Sequence, residues 1–200
     1  LPLNGVANGQ FKAFGALSKV QWNLELEAEE SFIGPAAVDV AKISFFNKDK
    51  ELNVKVDANM LGGSANMAGL ILLSEKKIAL EGNFSDVGVD SKSGFPFNGT
   101  LSGKIAVSGA IASPEVRLEG NSSELGIRGF YLSDATFALV MRGKSATIEM
   151  IKGRLGESPF EASGTVVFEE KGALNLSLSA KRVSVASILK DKSGLFRGEA

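Results

Sequence analysis

The chain has 200 residues, 44% hydrophobic and 22% charged, and its 22 basic and 23 acidic side chains leave a net charge of −1. That is enough apolar material for a core, and too little net charge to give an expectation of electrostatic capture of nucleic acid or of an anionic lipid surface. Cysteine and histidine are both absent, which removes disulfides, thiol chemistry, cysteine metal sites and the commonest general base; the chain is expected not to be an enzyme and to use no cofactor or metal.

From its first residues the chain reads as β-structure. LPLNGVANG lacks the basic region and apolar core of a signal peptide, and no stretch reaches the ~18 consecutive apolar residues of a membrane span. The chain begins without methionine and stops inside a repeat, and is expected to be a piece of a longer protein whose targeting segment lies elsewhere. Leu24, Leu26 and Ala28 alternate with Asn23, Glu25, Glu27 and Glu29; Leu52, Val54, Val56 and Ala58 with Asn53, Lys55 and Asp57; Ile78 and Leu80 with Lys77 and Glu81; Leu174, Leu176, Leu178 and Ala180 with Asn175, Ser177, Ser179 and Lys181. A period of two sets one face against something apolar and the other in water, which predicts antiparallel strands. Turn chemistry falls between the runs at 47–50, 61–63, 74–77, 142–144, 156–159 and 169–172. Two short segments, 33–42 (IGPAAVDVAK) and 184–191 (SVASILKD), carry weak helix signals, the first from Pro35 at a helix start and the second from a Ser184 or Ser187 cap.

The chain also contains itself roughly twice. LNGVANGQFKAFGAL at 3–17 matches FNGTLSGKIAVSGAI at 97–111 at an offset of about 94, with Asn4, Gly5, Gly9 and Gly15 falling on Asn98, Gly99, Gly103 and Gly109. The match resumes at Ile43/Phe137, Phe45/Leu139 and Leu61-Gly62/Leu155-Gly156, then at Gly69/Gly164 after a one-residue slip. The pattern predicts a first repeat at 1–94, a second at 95–193 and the start of a third at 194–200, with linkers at 90–94 and 191–194.

Motifs that could carry chemistry do not hold up. Gly99-Thr-Leu-Ser-Gly-Lys104 has the wrong spacing for a phosphate loop and sits in an alternating strand. Asn83, Asp86 and Asp90 lack the order and terminal glutamate of a calcium loop. Glu25, Glu27, Glu29 and Glu30 read as a wet, charged strand face that discourages edge pairing, rather than as a glycosidase carboxylate pair. The phenylalanines do not interleave with basic residues as a nucleic-acid stacking platform requires.

In the second copy, LSGKIAVSGAIASPEVRLEG at 101–120 runs as apolar-x-Gly, an alternating strand, Ser-Gly, a short apolar run, Pro114 and a further alternating strand, and the unit closes on Val183 to Leu189. This resembles the repeats of the AsmA-like and TamB family of bacterial cell-envelope proteins, over most of the chain; the first copy departs from the pattern, with Lys19-Val20 where the second has Ser113-Pro114. The resemblance implies an all-β fold: a long, curved, mainly antiparallel sheet forming a U-shaped hydrophobic trough (a β-taco). It implies a periplasmic location with an inner-membrane anchor outside this chain, phospholipid acyl chains as partner, and transport between inner and outer membranes in outer-membrane biogenesis. The expected groove lining is Leu24, Leu26, Leu52, Val54, Val56, Ile78, Leu80, Ile105, Val107, Val116, Leu118, Phe137, Leu139, Ile148, Met150, Val166, Phe168, Leu174, Leu176 and Leu178. Alternation alone fits a closed sandwich equally well. The alternatives are a structural or adhesive cell-surface β-sandwich repeat, and a scaffold for outer-membrane β-barrel proteins acting by strand addition.

Overall fold

The computed structural model describes residues 3–16, 19–33, 36–48, 50–90, 97–127, 130–167 and 173–180. These fold into β1 (Leu3–Ala16), β2 (Lys19–Ile33), β3 (Ala36–Lys48), β4 (Glu51–Met60), β5 (Gly63–Leu72), β6 (Lys77–Val89), β7 (Phe97–Ala110), β8 (Ser113–Ile127), β9 (Phe130–Arg142), β10 (Ser145–Leu155), β11 (Ser158–Val167) and β12 (Leu174–Ala180). The strands form one 12-stranded sheet in chain order, every neighbour antiparallel. The sheet is curved and does not close, and among the described residues β1 and β12 are its two edges. Among the described residues it packs against no second sheet, so the alternation belongs to a single curved layer and not to a sandwich.

The hairpin turns lie where glycine and polar residues predicted them at 47–50, 61–63, 74–77, 142–144 and 156–159. The turn from Met60 to Gly63 shows why: Leu61 and Gly62 both have positive φ, 51° and 76°. A two-residue hairpin of matching twist demands this, and a side chain at Gly62 would be strained there. The expected helix at 33–42 is corrected: Ala36–Lys48 is β3, paired from Ala36↔Ile33 onward with β2. A ten-residue helix is marginal on its own, whereas a hairpin satisfies the same backbone groups on both sides. The segments 169–172 and 184–191 and the linker residues 91–94 and 191–194 lie outside the described residues.

Strand bounds recur. β1, β2 and β3 have 14, 15 and 13 residues, and β7, β8 and β9 have the same lengths, each beginning 94 residues later.

A line of β-bulges crosses the sheet near one end of the strands. Register shifts fall between Asn4 and Val6, Val38 and Val40, Phe84 and Val87, Gly99 and Ser102, and Lys152 and Arg154. Glu30, Asp86 and Asp134 take left-handed backbone here, with φ of 47°, 56° and 51°. Hydroxyls take over where the ladder is interrupted: the Asp86 N–H donates to Ser102 Oγ at 3.0 Å, and Ser122 Oγ donates to the Glu124 carbonyl at 2.7 Å. Bulges bend and twist strands. Past the line the side chains crowd: Val38 and Leu132 are 2% exposed and Ala135 is fully buried. Leu125, Leu132 and Ala135 form a packed corner with Leu101, Ile151, Leu155 and Phe160.

Candidate functional site: one apolar face across twelve strands

Residues directly paired across antiparallel strands point to the same face, so register decides which side chains meet. One row reads Phe11, Leu24, Phe45, Val54, Gly69, Leu80, Val107, Val116, Met141, Ala146, Val166 and Leu174, strand by strand from β1 to β12. Two residues further along the strands is Gly9, Leu26, Ile43, Val56, Met67, Gly82, Ile105, Leu118, Leu139, Ile148, Gly164 and Leu176. A third, from Ala7, Ala28 and Ala41 through Phe84 and Phe137 to Ala162 and Leu178, is apolar or glycine at every strand as well. Leu52, Ile71 and Ile78 continue the face toward the other end of the strands. No charged residue interrupts these three rows.

The expected lining residues therefore share this face, with two exceptions. Met150 is corrected. A bulge between Ile148 and Ile151 pairs Met150 with Ala138, in the row of Glu119 and Lys104 on the polar face, and brings Ile151 opposite Phe137 instead. Phe168 lies outside the described residues. Sequence alternation missed Phe11, Ile43, Phe45, Met67, Phe84 and Met141, which only the hairpin register assigns to the face. Glycines let aromatic rings lie across it: a side chain at Gly120 would meet Phe137 Cζ at 2.7 Å, and one at Gly103 would meet Phe84 Cζ at 2.9 Å. Even so the face is not sealed. Val54 and Leu80 are 7% exposed in the central strands, but Phe11 is 63% and Leu178 62% exposed at the edges.

The opposite face is a solvated charge ladder. Cross-strand pairs join Lys42 to Glu27 at 3.2 Å, Arg142 to Glu115 at 2.6 Å and Lys152 to Glu161 at 3.4 Å. Arg117 reaches Glu119 on its own strand at 2.7 Å and Glu149 on β10 at 2.6 Å. The hydrogen bond to Glu119, then the charge of Glu149, hold its guanidinium above the ordinary arginine value. Two shallow depressions of about 440 and 450 Å³ lie on this face, the first lined by Ser44, Phe46, Asn53, Lys55 and Leu70, the second by Asn66, Glu81, Asn83, Lys104, Arg117 and Glu119. The first has a mainly apolar wall with Lys55 as its one charged residue, and the second is mixed in charge; both are shallow and open to water, so neither is the site. Among the described residues no group of acidic side chains is placed to hold a metal ion.

The two ends of the strands differ in charge, which the net charge of −1 conceals. Because successive strands reverse direction, residues remote in sequence collect on one rim. On the bulge side lie Glu29, Glu30, Asp39, Asp86, Asp90, Glu124, Asp134 and Glu157, against Arg154 and the mutually paired Lys152 and Glu161, among the described residues. On the other rim lie Lys19, Lys50, Lys76 and Lys144, against Glu51, the paired Lys77 and Glu75, 2.9 Å apart, and the mutually paired Arg142 and Glu115. That basic rim also presents apolar side chains: Val20 is 46%, Leu73 52% and Ile111 45% exposed. Backbone bonds from Leu73 N–H to the Lys50 carbonyl, 3.2 Å, and from Ile111 N–H to the Lys76 carbonyl, 2.9 Å, knit adjacent hairpin tips into one lip.

Compared with known protein families, with curated proteins and with solved structures, the chain matches none. No helix among the described residues is long and apolar enough to cross a membrane.

Proposed function

We propose that the apolar face shields phospholipid acyl chains, and that the chain is part of a periplasmic bridge, anchored in the inner membrane by a segment outside it, along which lipid passes between inner and outer membranes. The observation that carries this reading is the set of unbroken apolar rows on a single-layered, unclosed sheet. A monomer ordinarily leaves only a few hundred Å² of contiguous apolar area in water, so a continuous apolar face with residues as open as Phe11 and Leu178 calls for an occupant. Rows without a polar break offer acyl chains area at ~25 cal/mol per Å² and no barrier between strands. The equal lengths and constant offset of β1–β3 and β7–β9 support the division into repeats at 1–94 and 95–193, which would extend the same face in a longer protein. β1 and β12, the edges of the sheet among the described residues, favour, as a second reading, a scaffold that adds strands of outer-membrane β-barrel proteins.

The test is photo-cross-linking in cells, with a benzophenone amino acid at Leu176 or at Ser177 of the full-length protein and phosphate-labelled lipids. Leu176 lies in an apolar row and Ser177 pairs with Ser163 in a polar one, and both are exposed, so neither replacement disturbs a core. Lipid adducts at 176 and not at 177 are expected. No adduct at either, in a folded protein, overturns the reading. Leu176→Asp should likewise abolish lipid retention while Ser177→Asp leaves it intact.

A further inference from the structure

We infer that phospholipids lie in this trough in one orientation, with their phosphate headgroups along the basic lip formed by the β3–β4, β5–β6 and β9–β10 hairpin tips and their acyl chains directed toward the bulge line. This rests on the proposed lipid-shielding role and adds to it a class of headgroup and a direction. Backbone bonds set Lys50 beside Leu73 and Lys76 beside Ile111, and Lys144 stands on the next hairpin tip of the same rim, at the border of the apolar rows. A phosphate held there meets ammonium groups while its chains lie on apolar side chains from their first carbons. The opposite border offers the reverse: Glu30, Asp86 and Asp134 in left-handed bulge positions, with the packed corner around Leu132 behind them. A phosphate at that border would face like charge.

The dimensions agree. From Leu73 at the lip to Ala65, in the third apolar row, is eight residues of β5 and its turn, or about 26 Å at ~3.3 Å per residue. One leaflet of a ~30 Å hydrocarbon core is about 15 Å deep, so chains entering at the lip end before the acidic rim.

The experiment uses the full chain with two photoactivatable phosphatidylglycerols, one carrying a diazirine on the headgroup and one at the acyl terminus, with adducts located by peptide mapping. Headgroup adducts are expected in segments 73–77, 111–113 and 143–145, and tail adducts around the first and second apolar rows, near Leu80, Val107 and Leu118. Neutralising the lip with Lys50→Gln, Lys76→Gln and Lys144→Gln, all turn positions, should cut headgroup adducts there about fivefold for each lysine, with the loss smaller at high salt. Headgroup adducts spread evenly over both rims or gathered on the acidic one, with tail adducts retained, overturn the orientation alone. Absence of tail adducts from the apolar face overturns the lipid-shielding role and the orientation with it.

Discussion

The two halves of the sheet, β1–β6 and β7–β12, each begin with three strands of 14, 15 and 13 residues and carry different side chains past the bulges. In the second half Leu101, Leu125 and Phe160 crowd the space past the bulges. At the positions 94 or 95 residues earlier stand Ala7, Ser31 and Ala65. The innermost pair differs less: Leu132 and Val38 are both 2% exposed, Ala135 is fully buried and Ala41 is 7% exposed. The polar face differs in the same sense. Arg117 bridges Glu119 and Glu149, where the first half has Asn23 hydrogen-bonded to Glu25 at 3.1 Å. Backbone pairing and alternation thus set the curved layer, while the volume past the bulges sets how firmly each half is closed.

The sharpest way to break that comparison is truncation at the corner. Leu132→Ala should cost about 2–5 kcal/mol of unfolding free energy in urea, and Val38→Ala about 2 kcal/mol, because fewer atoms leave a looser surround; equal losses, despite the smaller deletion at Val38, would make the first corner the firmer. Next come the glycines. A Cβ at Gly103 would meet the Glu119 carbonyl oxygen at 2.1 Å, whereas at Gly9 the nearest atom is Leu26 Cδ2 at 2.6 Å, the movable end of a side chain. Gly103→Val is expected to destabilise by ~1–3 kcal/mol and Gly9→Val by less, read from thermal midpoints. Native-state hydrogen exchange sharpens the picture further: amides of β8–β10 should exchange about tenfold more slowly than those of β2 and β3, and the reverse order would locate the firmer unit in the first half. The smallest effect belongs to Arg117→Asn, which installs the first half's residue type. Its ion pairs are exposed, so the melting midpoint should hardly move.

Much of the fold was legible in the residues. Alternation at Leu52–Ala58 and Ile78–Leu80 named strands and their apolar face, and turn chemistry at 61–63 and 142–144 placed hairpins, because both signals are local. Met150 went to the wrong face because a bulge breaks the period of two without leaving a glycine to announce it. Residues 36–42 read equally as helix or strand until β2 supplied partners, as short apolar runs do. The segregation of charge was hidden for a different reason: Glu30, Asp86 and Asp134 lie on one rim only because the strands between them reverse direction, and a net charge averages that away.

The order of the strands has a kinetic consequence. Every strand pairs with the one made just before it, and no connection crosses another. Ordering such a chain needs only short loop closures, which are entropically cheap and fast. A hairpin formed anywhere can serve as the template on which the next strand zips. The polypeptide can therefore acquire its structure progressively, from whichever end is released first, as it emerges from a ribosome or a translocation pore, without waiting for its last residue.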